Sequence, residues 1–80
     1  MTKEEVVLKL VDYFKKAFRY EGDDLTADTK ITETFGTNSI KRIAVCSLIE
    51  DDLEVTIPAK KFAEFETIGD LADKILEELA

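Results

Sequence analysis

From Val7 onward apolar side chains recur at three- and four-residue steps (Val7, Leu10, Val11, Phe14, Ala17 and Phe18), while Lys9, Asp12, Lys15 and Lys16 fill the other side. That period predicts an amphipathic helix of about four turns. Thr2 followed by Glu5 is a capping-box start, and the helix is expected to end before Gly22. Residues 19–38 lose the period and become rich in Gly, Asp and Thr, with Leu25, Ile31 and Phe35 as isolated apolar anchors. A connection this long is usually functional or packed down by its own apolar residues. A second helix is expected from Ser39 to Leu53, capped by Asn38 or Ser39. At ~100° per residue, Val45, Ile49 and Leu53 make one stripe with Cys46 at its edge. Ile40, Ile43, Ala44 and Ser47 make another, bordered by Glu50 and Asp51. One surface helix cannot bury both stripes. Either it lies centrally, or its second face is kept for a partner.

Residues 53–57 form a short apolar stretch that Pro58 closes, since proline disfavours helix at the residue before it. Pro58 can then open a brief helix over residues 59–63 that carries Phe62 inward. Thr67 with Asp70 starts the last helix, whose stripe is Ile68, Leu71, Ala72, Ile75, Leu76 and Leu79. No alternating strand pattern competes. The expected fold is all-α: a small four-helix bundle of three long helices and one short, with a long loop between the first two.

Length and charge narrow the possible functions. Eighty residues make one small domain, residues 1–80. Eleven basic against 18 acidic residues leave a net charge of -7. This disfavours nucleic-acid binding through a basic surface and favours partners with basic patches. The absence of His and the single Cys46 exclude an internal disulfide, a Cys/His zinc site and His-based catalysis. Asp23, Asp24 and Asp28 lack the spacing of an EF-hand, so a solvated acidic loop is expected and no metal. The N-terminus has no apolar signal segment, and the longest apolar run, residues 43–49, cannot span a bilayer. A cytoplasmic monomer that does not insert in membranes is the expectation.

The chemically suggestive place is Phe35-Gly36-Thr37-Asn38-Ser39-Ile40. Gly36 permits a sharp backbone turn, and capping by Asn38 frees the Ser39 hydroxyl. The first-turn amides and the positive end of the helix dipole suit an anion such as a phosphodiester. Cys46, with no His to activate it, reads as structural. Asp51 and Asp52 are adjacent on a helix and do not converge, so a carboxylate-pair enzyme is disfavoured. Phe14, Phe18, Phe35, Phe62 and Phe65 read as core.

At Gly36-Thr37-Asn38-Ser39-Ile40 the sequence resembles the acyl carrier proteins and their peptidyl carrier relatives, whose pattern is Gly-x-Asp-Ser-Leu/Ile. The resemblance extends to the acidic cluster Glu50-Asp51-Asp52, the Leu53-to-Pro58 linker and the Phe65-Glu66-Thr67-Ile68-Gly69-Asp70-Leu71 lead-in to the last helix. It implies that Ser39 carries 4′-phosphopantetheine, transferred from coenzyme A by a phosphopantetheinyl transferase. The protein itself would catalyse nothing. It would present a thioester-bound acyl group to acyl-transferring, condensing and other biosynthetic enzymes, with part of the chain sheltered inside. Ile40, Lys41, Arg42, Ile43, Ser47, Glu50 and Asp51 would face those partners.

Three departures distinguish this chain. Asn38 replaces the usual Asp and removes a charge available to the transferase. Lys41 and Arg42 stand where a housekeeping fatty-acid carrier is acidic or neutral, read either as solvated residues or as an altered partner rim. Ser47 replaces a larger apolar residue. Together they suggest a specialised carrier. Fatty-acid, polyketide and aminoacyl carriers share these residues, and an unmodified helical adaptor is the alternative that Asn38 suggests.

Overall fold

The computed structural model describes residues 1–22 and 24–79. Thr2 and Glu5 exchange the two expected capping bonds, the Thr2 hydroxyl accepting from the Glu5 N–H at 3.2 Å and Glu5 Oε1 from the Thr2 N–H at 3.1 Å. They start α1, Lys3–Phe18. The helix ends before Gly22, as expected: Arg19 turns into the left-handed region at φ 52° and its N–H closes on Lys15 O. Val6, Leu10, Tyr13 and Phe14 are the buried positions of α1, while Val7 and Val11 pack at the rim. The buried stripe is thus rotated from the expected one and includes Tyr13, whose hydroxyl finds a partner.

The long connection is more structured than the sequence pattern suggests. It contains a short helix α2, Ile31–Phe35, one turn being too short to give a periodic signal. It is also tied to the lead-in of α4 (Ile68–Leu79) by an isolated antiparallel bridge between Lys30 and Thr67. The Ile31 N–H donates to Glu66 O at 2.9 Å, Ile68 N–H to Thr29 O at 3.0 Å and Gly69 N–H to Ala27 O at 2.8 Å. Leu25 and Ile31 are buried and Phe35 packs against the core, as expected of anchors. Thr67 and Asp70 form the second capping box. Between α3 (Ser39–Leu53) and α4, Pro58 leads into a 3₁₀ segment, Ala59–Glu64, which buries Phe62 completely. Among the described residues the bundle therefore has five helical segments: three long, the expected short one, and the extra turn α2.

α1 packs against both α3 and α4. Phe14 is stacked on Phe35 at 4.7 Å between ring centroids and meets Phe62 edge-on at 6.1 Å. Val45, Ile49, Leu53, Ile68, Leu71 and Ile75 complete the core. Among the described residues no helix is long and apolar enough to cross a membrane. No cluster of three or more acidic or Cys side chains is placed to hold a metal among them; Asp23, part of the acidic-loop reading, lies outside them.

Asp52 near the end of α3 accepts from the Tyr13 hydroxyl and pairs with Lys9 at 3.2 Å. The Tyr13 bond first and Lys9 second hold the Asp52 carboxyl below its ordinary range, while burial and the neighbouring carboxylate raise the Tyr13 phenol above its own. Asp52 binds its proton less readily folded than unfolded, so its contribution is present above about pH 4 and lost as pH falls further. Tyr13 stays protonated when folded, so its contribution holds below about pH 10 and fades above it. In thermal melts across pH, Tyr13→Phe is expected to flatten both flanks; unchanged flanks would show that the pair does not couple α1 to α3.

Candidate functional site

The exposed N-terminus of α3 is built by three local devices. Gly36 ends α2 at φ 78° and ψ -162°, a conformation open almost only to glycine, and its N–H closes on Thr32 O at 2.9 Å. Asn38, extended at φ -64° and ψ 110°, caps α3 with Oδ1 accepting from the Lys41 N–H at 3.1 Å. The first intrahelical bond runs from the Arg42 N–H to Asn38 O at 3.1 Å. Ser39 is therefore the first helical residue, exposed, and its hydroxyl is released from capping. The Ser39 and Ile40 amides precede any intrahelical acceptor, and the first turn holds no acidic residue. An anion on the Ser39 oxygen would meet the positive end of a 15-residue helix.

Charge along α3 runs against its dipole. Lys41 and Arg42 lie at the positive end, and Glu50, Asp51 and Asp52 at the negative end. Asp52 is compensated by Lys9 and Tyr13; Glu50 and Asp51 are exposed. They border the second stripe, where Ile40 is 79% and Ile43 53% exposed and Ala44 and Ser47 also face water. The opposite stripe, Val45, Ile49 and Leu53, is buried. Of the two alternatives for this helix, the structure takes the one with a free second face. Lys41 is exposed, with Nζ 5.8 Å from the Phe18 ring centroid.

Arg42 corrects the sequence expectation. Expected at the partner rim, it is only 8% exposed, laid under the α2–α3 link. Its Nη2 donates to Gly36 O at 3.0 Å and Thr32 Oγ1 at 3.2 Å, and the guanidinium lies 5.8 Å from the Phe62 ring centroid. Its Nε is buried without a partner among the described residues. The spacing could have revealed this, because Arg42 continues the Val45, Ile49, Leu53 stripe one step toward the N-terminus. Its charge hid the signal. Cys46 is half-buried, and burial pushes its thiol up to about 11, which leaves it a poor nucleophile.

The family model described as "Phosphopantetheine attachment site" matches residues 8–75. Among similar curated proteins, an acyl carrier protein of Borreliella burgdorferi is 25% identical over 75 residues, covering 94% of each chain. One from Exiguobacterium sibiricum is 24% identical over 75 residues, covering 94% of this chain and 95% of its own. One from Clostridium perfringens is 25% identical over 69 residues, covering 86% of this chain and 91% of its own.

An alanine at Gly36 would meet no atom within 4 Å of its Cβ, so any penalty there is conformational and not steric. Gly36→Ala is expected to lower stability by about 1–3 kcal/mol in denaturant unfolding, the strain of a side chain in that region. A stability equal to the native chain would mean the link adopts another geometry.

Proposed function

The chain belongs to the acyl carrier protein family and carries 4′-phosphopantetheine, and from that premise we propose that the group is attached to Ser39. The observation that supports this reading most directly is the division of labour at the start of α3: Asn38 supplies the cap, and Ser39 stands exposed beside it with its hydroxyl available. A phosphodiester at that oxygen needs no buried charge, and the unopposed helix terminus favours it. When attached, the group supplies a terminal thiol that holds an acyl chain as a thioester.

The protein then acts as a non-catalytic carrier in the cytoplasm. A phosphopantetheinyl transferase loads it, and enzymes of fatty-acid, polyketide or related lipid synthesis exchange its cargo. The tether raises the local concentration of the acyl group at whichever enzyme is docked. The exposed Ile40, Ile43 and Ser47 with the acidic Glu50 and Asp51 supply a docking face suited to basic partners. Lys41 at the rim and Ser47 within the face suit a partner set different from that of a general fatty-acid carrier, since rim charges act on partner choice and association rate.

Incubation with coenzyme A and a broad-specificity transferase is expected to add one phosphopantetheine by intact mass, and Ser39→Ala to abolish the gain. Asn38→Asp is expected to speed loading several-fold by restoring a charge next to the serine while preserving the cap. A mass gain that survives Ser39→Ala would displace the site. No gain with several transferases would favour an unmodified adaptor.

A further inference from the structure

Among the described residues Arg42 is a buried cation without a counter-charge. Among the described residues no carboxylate oxygen lies within 4.0 Å of its guanidinium, although the chain carries a net charge of -7. Among the same residues its two hydrogen bonds go to neutral acceptors, Gly36 O and Thr32 Oγ1, and its Nε makes none. A guanidinium cannot shed its proton to escape burial, so the charge persists. Buried charges are normally paired, and a buried donor left without an acceptor calls for an explanation.

Arg42 and Ser39 are three residues apart on one helix, where Cβ atoms lie about 5–6 Å from one another. The bond to Gly36 O sets the guanidinium beneath the link that leads into Ser39. We propose that Arg42 is the counter-charge of the phosphodiester that Ser39 receives, a positioning residue that draws the root of the prosthetic group toward the α2–α3 link. This rests on Ser39 being the attachment site. The unloaded chain holds the cation ready against Phe62, Gly36 and Thr32; loading supplies the anion that the described residues do not.

The test compares the unloaded and phosphopantetheine-loaded chain, with loading and its position verified by intact mass and by Ser39→Ala. On ¹⁵N-labelled protein, the Arg42 Nε–H resonance is expected to shift on loading, and the ³¹P resonance of the phosphodiester to differ between native and Arg42→Gln protein. Loading is expected to raise the melting temperature of the native chain by about 4 °C more than that of Arg42→Gln. Arg42→Lys should retain part of that difference, and added salt should shrink it. A merely structural strap would destabilise both forms equally and leave loading shifts alike. An unmoved Nε–H resonance with equal loading shifts overturns the proposal. Should Arg42→Gln fail to fold, the native resonance decides alone. A chain that never gains mass, or gains it elsewhere than Ser39, overturns the attachment reading and this inference together; correct loading with unmoved readouts overturns the counter-charge alone.

Discussion

The helix α3 has to begin in water and continue into the core within one turn, and the rest of the structure is arranged around that demand. Ser39 and Ile40 are exposed while Val45 and Ile49 are fully buried. The change is managed by the side chain between them. Arg42 is buried one step before the core stripe, and its guanidinium lies at the α2–α3 link, where Gly36 O and Thr32 Oγ1 accept from it. The glycine-only conformation of Gly36 turns the chain into that position, and the Asn38 cap starts the helix there. The 3₁₀ segment contributes Phe62 as the floor, itself packed edge-on against Phe14 of α1.

This arrangement explains how so small a bundle can present one oxygen with a defined surrounding. The first connection would be free to move if it were bound only by its ends. Instead its backbone is bridged to the lead-in of α4 around Lys30 and Thr67, and Leu25, Ile31 and Phe35 bind it to the core. The far end of α3 is held separately, through Asp52 to Tyr13 and Lys9 of α1. With both ends and one face secured, the face bearing Ile40, Ile43, Ser47, Glu50 and Asp51 needs no partner within the chain. The charge order along α3 opposes the helix dipole, which local stability alone would not select. It is intelligible if the basic end receives an anion and the acidic end meets basic surfaces.

Much of the framework was legible in the residues. Both capping boxes, the Asn38 cap, the bounds of α3 and the buried stripe of α4 up to Ile75 are where the spacing predicts them. Leu79, expected on that stripe, is exposed at the last turn of α4. The end of α1 is legible too: the apolar period lapses after Phe18, and Arg19 there adopts the left-handed turn. The single turn of α2 carries too few residues to show a period. At the site, the exposed Ser39 and the free second face agree with expectation, whereas Arg42 does not.

Features settled within about four residues along the chain follow from residue order alone: caps, helical periods, the bend at Gly36 and the serine that follows it. Each depends on bonds between near neighbours, so residue type and spacing suffice. The remaining features arise from groups far apart in the chain that folding brings together. The rotation of α1 that buries Val6 and Tyr13 follows from where α3 and α4 lie, and Tyr13 is tolerated inside because Asp52 meets its hydroxyl. Arg42 could be hidden only because Thr32, Gly36 and Phe62 come together around it. A charge is read from sequence as solvated; whether it can be buried depends on acceptors that folding alone assembles.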